Sequence, residues 1–185
     1  MILVEDIWLI LGTWAAVGVA IWAVIMSNKA NQKTLKMQGL NLVFEKLNDE
    51  KKRRARAEVL RSYYNYLIHN DKPIVYTIEN FKDHPVIDIT KFDTSISSYV
   101  EIVKADFEVI AVMVHNGLVD KQAYLDAYWG SMLRCYMALH GNIIAAREQS
   151  GTEHYTTYFQ EQSENDGFEF WREKHPKSKI IYHSD

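Results

Sequence analysis

The hydrophobic pattern at the start of the chain predicts a membrane-spanning helix. Residues 7–26 form a run of twenty positions without a charged side chain. At about 1.5 Å per residue, a helix of this length covers the ~30 Å hydrocarbon core of a bilayer. Trp8 and Trp22 stand near its two ends, where indole rings favour the headgroup boundary. Glu5 and Asp6 precede the run, whereas a cleaved signal peptide begins with positive charges, so we predict a retained anchor.

Lysines follow this segment and none precedes it, which predicts its orientation. Residues 1–6 contain no Lys or Arg. The lysines within twenty residues of the segment's end are Lys29, Lys33, Lys36 and Lys46. Because flanks rich in Lys and Arg remain on the cytoplasmic side, we predict a single-pass protein with its N-terminus outside and residues 27–185 in the cytoplasm.

Three small residues in the segment indicate a surface for helix association. Gly12, Ala16 and Ala20 are spaced four apart and share one side of a helix, where they allow a second backbone to approach closely. Since membrane helices are generally rich in Gly, the spacing also fits a plain anchor. We predict that this stripe is an oligomer interface in the membrane, and a conduction path lined by the helix would be apolar.

The remainder of the chain has the periodicity of packed helices. Leu40, Val43, Phe44 and Leu47 recur at the i, i+3, i+4, i+7 spacing of a buried helix face. A further helix is predicted to begin at Asn48–Glu50 and to end by Pro73, and another to run from Thr94 or Ser95 to about Val114. A long helix is predicted from Asp120 to about Glu148, with Gly151 after it. The last two are predicted over 152–165 and around Phe168–Trp171, before Pro176. The stretch 71–94 is predicted to be a long loop with room for a short extended segment.

These segments give an all-α fold class with three parts. Residues 1–26 are the predicted transmembrane helix, 27–50 a juxtamembrane helical stalk, and 51–185 a cytosolic helical bundle. The formal net charge of -3 argues against a globally basic nucleic-acid-binding protein. The single cysteine, Cys135, excludes an intramolecular disulfide and a Cys-rich zinc site, and it fits a reducing compartment. The sequence has no glycine-rich phosphate loop and no metal-ligand spacing, so we expect neither a cofactor nor a metal.

The densest charge cluster is one candidate binding surface. Its members are Lys51, Lys52, Arg53, Arg54 and Arg56. Such a basic cluster can hold the phosphates of RNA, of lipids or of a cyclic nucleotide. Most charge runs are instead solvated helix faces, here with Asp49 and Glu58 as partners. Both interpretations stay open at the level of the sequence.

One Arg/His pair is the candidate for catalysis. Arg147 comes late in one predicted helix and His154 early in the next, in an Arg-x6-His arrangement. This arrangement resembles that of HEPN-type ribonucleases, in which His moves a proton at the ribose and Arg stabilises the charged phosphate. Chance matches are frequent: Arg134 and His140 also match, although six residues of straight helix turn by about 600° and place them on different faces. We therefore expect no enzymatic activity.

The architecture as a whole resembles the small membrane accessory proteins of type VI-B CRISPR loci, which work beside an RNA-guided, RNA-cleaving effector. The features that carry this resemblance are the N-terminal span, the charged stalk, the all-helical body and the Arg-x6-His turn. Residues 106–120, together with 128–131, are also similar to an uncharacterised bacterial family of single-pass membrane proteins.

The resemblance implies a HEPN-like fold, ring-shaped homo-oligomers that form a pore in the bacterial inner membrane, and a role in antiphage defence. It places Arg147 and His154 at the family's Arg-x4–6-His positions, at the long end of that spacing. The expected function is therefore to permeabilise or depolarise the inner membrane when the effector is triggered by phage RNA. Two alternatives remain, a membrane effector gated by a cyclic oligonucleotide bound to the cytosolic bundle, and a membrane-tethered scaffold with neither pore nor ligand.

Overall fold

The computed structural model describes residues 4–152 and 156–183, with the backbone alone for residues 4–20. Its helices are α1 (Val4–Asn48), α2 (Glu50–His69), α3 (Ile89–Phe92), α4 (Ser97–His115), α5 (Lys121–Ser150), α6 (Thr157–Glu161) and α7 (Phe168–Lys174). A π-helical segment, Gln162–Gly167, joins α6 to α7, and 3₁₀ turns cover Phe81–Asp83 and Thr94–Ile96. Two short strands are β1 (Val75–Tyr76) and β2 (Ile180–Ile181). The predicted all-α class is confirmed.

Several helix ends lie where the capping residues predict them. The Asp49 carboxylate accepts a hydrogen bond from the Lys52 N–H at the start of α2, at 3.1 Å. Asp120 accepts one from the Ala123 N–H at the start of α5, at 3.0 Å. Gly151 ends α5 in the left-handed region, with φ of +64°, a conformation that glycine adopts without steric cost.

Two predicted boundaries differ from the structure. α4 begins at Ser97, slightly later than predicted, because Asp93 caps a separate 3₁₀ turn over Thr94–Ile96. The helix predicted over 152–165 is wrong in its bounds, since α6 is short, follows a positive φ at Thr156, and continues as the π-helical segment. Local propensity does not distinguish an α-helical from a π-helical turn, so this difference has no signal in the sequence.

The long loop predicted over 71–94 is confirmed in its first half, and β1 is its extended segment. β1 pairs antiparallel with β2, with Val75 opposite Ile181 and Tyr76 opposite Ile180. The end of the described chain thereby fixes this loop against the helices. A 3₁₀ turn at Phe81–Asp83 and α3 interrupt the rest of the stretch, with irregular backbone at 84–88 between them.

α1 runs without interruption through the segment predicted to span a membrane. Within the part of the chain that the structure describes, no helix is both long and apolar enough to cross a bilayer. Most of the predicted span, 7–26, belongs to residues 1–20, whose side chains lie outside that description. The span therefore stays a prediction.

The last turns of α1 belong to the core of the helical body. Of the predicted buried face, Val43 and Leu47 are buried, whereas Phe44 is 38% exposed. On α4, the buried Asp106 forms salt bridges with Lys46 of α1 at 3.1 Å and with Lys52 of α2 at 3.2 Å. Apolar and ionic contacts therefore hold α1, α2 and α4 together at one junction, so the end of the predicted stalk packs into the helical domain.

α5 packs against α2, α4 and α7 and carries much of the core. Its buried residues include Leu125, Met132, Tyr136, Leu139 and Ile143. The largest fully buried side chain of the described residues, Trp171 of α7, completes this core from the other end of the chain. α5 is therefore the rigid element on which a functional side chain would be held in place.

Candidate functional site

The predicted basic cluster divides into two groups in the structure. Lys52 pairs with Asp106, and the Arg56 guanidinium donates to the Leu47 carbonyl in the last turn of α1. These two cations stabilise the junction of α1 and α2, where positive charge suits the negative end of helix α1. The exposed members of the cluster are Lys51, Arg53 and Arg54. Only these three face solvent as a surface for a phosphate-bearing partner.

Arg147 belongs to a hydrogen-bonded chain between α5 and α6. Its Nη1 donates to Gln160 Oε1 at 2.6 Å. Gln160 in turn donates from Nε2 to Glu164 Oε1 at 3.0 Å. The Tyr136 hydroxyl donates to the same Glu164 oxygen. The chain thus connects α5, α6 and the π-helical segment.

Two sets of predicted residues lie outside the described side chains. His154 falls within 153–155, so the structure places only Arg147 of the predicted pair. Gly12, Ala16 and Ala20 lie on α1, in the part described by its backbone alone. The Arg/His pair and the small-residue stripe therefore stay predictions.

A cleft that sequence analysis does not identify has the features of a small-molecule site. We call it the histidine cleft, and its volume is about 310 Å³. Its lining residues are Phe81, Lys82, His84, Val86, Tyr136, His140, Glu164 and Phe168. Small-molecule sites typically combine apolar walls with a few convergent polar groups in this way. Among the side chains that the structure describes, no group of three or more His, Cys, Asp or Glu is placed to hold a metal ion.

A close approach between α5 and the preceding loop brings the two histidines together. A Cβ atom at Gly141 would lie 2.0 Å from the carbonyl carbon of Ile87, so this contact requires glycine. His84 on the loop and His140 on α5 lie beside this contact, with ring centroids 5.5 Å apart. The absence of a side chain at residue 141 therefore sets the distance between the two imidazoles.

A buried polar network holds the loop that carries His84 against α4 and α5. The buried Lys104 donates to Asn142 Oδ1 at 2.7 Å, and Asn142 donates to Asp88 Oδ1 at 3.0 Å. The Thr90 N–H and hydroxyl also donate to Asp88. Burial raises the pKa of Asp88, but the hydrogen bonds from Asn142 and Thr90 outweigh it, and the pKa is lowered overall. Asp88 is therefore a carboxylate at neutral pH and holds the loop on α5.

The π-helical segment places Glu164 at the rim of the cleft. Within this segment Ser163 is fully buried, and its hydroxyl has no hydrogen-bond partner among the described residues. Leaving a buried polar group unpaired costs about 1–3 kcal/mol. π-helical turns are frequent at functional sites, where such a cost is tolerated because the turn re-aims a side chain. Here it brings the Glu164 carboxylate to the Tyr136 hydroxyl.

The backbone determines the tautomers of the two histidines. His84 Nδ1 lies 2.9 Å from the Phe81 carbonyl oxygen, which can only accept, so Nδ1 carries the proton. In a neutral ring, His84 Nε2 is then an acceptor, and it lies 3.4 Å from Nδ1 of His140. His140 Nδ1 therefore donates, and its Nε2 keeps a lone pair that can accept a hydrogen bond.

Both imidazoles favour the neutral form. Burial lowers the pKa of His84 below its ordinary value of 6.5, against the opposing effects of the Phe81 carbonyl and of Glu164. Burial, followed by repulsion from His84, also lowers the pKa of His140. Burial and the Glu164 carboxylate raise the pKa of the Tyr136 hydroxyl, which stays a proton donor. The cleft thus presents acceptors on His140 and Glu164 at neutral pH.

The lowered pKa values predict a loss of stability in mild acid. Well above pH 6.5 the two imidazoles are neutral in the folded and in the unfolded chain, and their contribution is constant. Below pH 6.5 the unfolded chain binds protons first, so the free energy of unfolding falls until the pH passes the lowered pKa values of the folded state. Thermal unfolding followed by circular dichroism between pH 7.5 and pH 5 should show this decrease.

Two variants, one of them a control, test the origin of this pH dependence. His140→Gln should reduce the decrease, because one half-buried imidazole is gone, whereas His69→Gln, at an exposed position on α2, should leave it unchanged. An equal decrease in wild type and His140→Gln would contradict the assignment of a neutral pair.

Sequence reasoning considers His140 only as part of the chance match with Arg134, and only part of the site had a signal. Tyr136 and His140 are four residues apart on one face of α5, and their rings lie 5.0 Å apart. His84 is 56 residues earlier in the chain, and no pattern shows that the loop returns to this face. Arg134, the other member of that chance match, donates to the Gly130 carbonyl of its own helix at 3.2 Å.

The chain belongs to the family defined by the domain of unknown function DUF4760, whose family model matches residues 10–164. No curated protein and no solved structure matches the chain. The matched range includes His84, His140 and Glu164 of the histidine cleft, together with most of the predicted span. Most of the predicted span and most of the cleft therefore lie in one family domain.

Proposed function

We propose that this member of the DUF4760 family is a single-pass protein of the bacterial inner membrane, with its N-terminus outside, that acts in antiphage defence. In this proposal, ring-shaped oligomers form a pore that depolarises the membrane when an RNA-guided CRISPR effector is triggered. The observation that carries the proposal is the continuity of α1, which leads from the uncharged segment at 7–26 to the buried Val43 and Leu47. A continuous helix anchored in this core can transmit a change in the body to the membrane segment.

The residues that follow the predicted span support a membrane boundary there. Trp22 is 63% exposed, which is unfavourable in water for so large an apolar ring but suits lipid or a second copy. Lys29, Lys33 and Lys36 are exposed and recur on one side of α1. At about 1.5 Å per residue, Lys29 lies ~4.5 Å beyond Met26, at the depth of the lipid headgroups. This charge pattern favours a cytoplasmic location for the body.

Two features of α1 support self-association. Gly12, Ala16 and Ala20 recur at the four-residue spacing that allows close helix packing in a membrane. Further along, Leu35 and Met37 are more than half exposed. Apolar surface of this kind outside the predicted span is suited to contact with another copy. A pore lined by such a helix would be apolar and would close by dewetting.

The body in this proposal is HEPN-like in arrangement but catalyses no reaction. Arg147 lies late in α5, and residue 154 precedes α6, which is the order of the HEPN pattern. The guanidinium of Arg147 is committed to Gln160 at 2.6 Å, a contact that connects α5 to α6. A structural role for Arg147 accounts for this contact without a substrate.

A membrane-potential dye tests the proposal in bacteria that express the full chain beside its defence system. Cells with a triggered effector should depolarise with wild type. Gly12→Leu and Ala16→Leu should abolish most of the signal, because a large side chain on the stripe prevents close packing. Gly18→Leu is the matched control and should retain the signal, since it lies about 200° around the helix from residue 16.

Three results would overturn parts of the proposal. Wild-type cells that stay polarised after triggering would exclude a pore. Full depolarisation by both stripe variants, with an unchanged particle mass in detergent, would exclude the stripe as the interface. Cleavage of a labelled RNA by the wild-type protein but not by His154→Ala would show that the protein is an enzyme.

A further inference from the structure

We propose that the histidine cleft binds a nucleotide whose base carries an amino group on its major-groove edge, as adenine and cytosine do and guanine does not. The base enters the cleft, and the phosphate lies at the rim beside Lys82. The proposal concerns the helical body alone and does not depend on whether α1 forms a pore.

The cleft presents two hydrogen-bond acceptors that have no described donor. His84 donates from Nδ1 to the Phe81 carbonyl and accepts at Nε2 from His140 Nδ1. The lone pair of His140 Nε2 is therefore available to a ligand. On Glu164, Oε1 accepts from Tyr136 and Gln160, whereas Oε2 makes no hydrogen bond to any residue that the structure describes. A ligand that satisfies both acceptors must bring N–H or O–H donors.

The walls of the cleft suit a flat ring. The centroids of the Phe81 and Phe168 rings lie 4.9 Å apart, and the ring planes are inclined by 35°. Both rings form part of the wall of the cleft. Val86, at the rim, is 49% exposed although it is apolar. Bases stack on aromatic side chains with about 1–3 kcal/mol per base. At about 310 Å³ the cleft is at the small end of the usual range for ligand sites and has room for one nucleotide.

The charges and the acceptors select the class of base and the position of the phosphate. Lys82 is exposed and is the cation of the lining, so an anionic group is favoured at that side of the rim. Adenine and cytosine carry exocyclic N–H donors, whereas thymine presents a carbonyl oxygen at the corresponding place, and uracil shares this carbonyl. A carbonyl facing the Glu164 carboxylate would be repelled, so the cleft discriminates against uracil.

The first test measures the thermal unfolding of the full chain in detergent at pH 7.5 with added AMP, CMP, UMP, adenosine or inorganic phosphate. AMP or CMP should raise the midpoint in a concentration-dependent way, because a ligand of the folded state stabilises it. UMP and inorganic phosphate should have little effect at the same concentration. Adenosine should bind more weakly than AMP because it lacks the phosphate that pairs with Lys82.

The second test compares matched variants by titration with AMP. Glu164→Gln keeps an oxygen for Tyr136 but replaces the free acceptor with a donor, and it should weaken AMP binding about tenfold or more. Glu169→Gln changes an exposed carboxylate on α7 outside the cleft and should leave binding unchanged. Lys82→Met should lower the affinity for AMP to that for adenosine, with the exposed Lys177→Met as its control. Glu164 and Lys82 are exposed, so these variants should fold.

Val86→Trp supplies a variant that blocks the cleft without removing any of its polar groups. The position is at the exposed rim, so the larger ring fills the opening and should abolish the shift with AMP. Four results would each overturn the proposal. Three concern the midpoint of unfolding: equal shifts with AMP and UMP, a shift with phosphate as large as that with AMP, or no shift with any nucleotide. The fourth is wild-type affinity for AMP in Glu164→Gln. Depolarisation in cells is a separate readout, so failure of the nucleotide site and failure of the pore are distinguishable.

Discussion

Gly141→Ala should destabilise the protein by about 3 kcal/mol, which corresponds to a fall of roughly 6–12 °C in the midpoint of thermal unfolding. The added Cβ atom would lie 2.0 Å from the carbonyl carbon and 2.1 Å from the carbonyl oxygen of Ile87. Both are backbone atoms, so the strain cannot be relieved by a side-chain rotation and the loop must move away from α5. Circular dichroism of the full chain in detergent measures the change.

A second glycine in the same helix is the control. Gly130 has no atom within 4 Å of the place where its Cβ would lie. Gly130→Ala should therefore stabilise the protein by ~0.5–1 kcal/mol, since glycine in a helix interior is less favourable than alanine. If both variants had the same stability as wild type, the close approach of the loop to α5 would be wrong.

The same substitution should also affect the histidine cleft. His84 is carried by the loop that contacts Gly141, and its ring is held against His140 by that contact. A displaced loop breaks the 3.4 Å contact between the two imidazoles and opens the wall at Phe81. Under conditions where Gly141→Ala is still folded, we expect it to bind AMP more weakly than Gly130→Ala does.

Features encoded by neighbouring residues could be predicted from the sequence. The caps at Asp49 and Asp120 and the glycine at 151 lie at the predicted helix ends, because capping depends on residues within one turn. These are local rules, and they account for the fold class.

The histidine cleft could not be predicted because its residues come from distant parts of the chain. The meeting of His84 with His140 depends on the path of a loop and on one glycine contact, and neither leaves a periodic pattern. The π-helical turn that presents Glu164 differs from an α-helical one only through tertiary packing. In the basic cluster, the ion pair of Lys52 with Asp106 joins two helices, so the sequence did not distinguish it from the exposed Arg53 and Arg54.

Trp171 is the aromatic side chain on which the floor of the cleft depends. It is fully buried on α7, and its indole Nε1 donates to the Ser178 carbonyl at 3.0 Å. Its ring lies 5.7 Å from that of Phe81, 6.3 Å from Phe168 and 6.0 Å from Trp129. Two of these neighbours line the cleft, so Trp171 connects the stability of the core to the shape of the site.

Trp171→Ala should cost about 3–5 kcal/mol, because it removes the largest buried side chain and leaves a cavity that its rigid neighbours cannot fill. Trp171→Phe keeps most of the packing but leaves the Ser178 carbonyl without its donor, so the cost should be smaller, ~1–3 kcal/mol. Phe92→Ala is the control, since that ring is 43% exposed and should cost about 1 kcal/mol or less. Thermal unfolding of the three variants measures this order. If Trp171→Ala is no less stable than Phe92→Ala, Trp171 lies outside the core. Phe81 and Phe168 then lose their support as walls of the cleft.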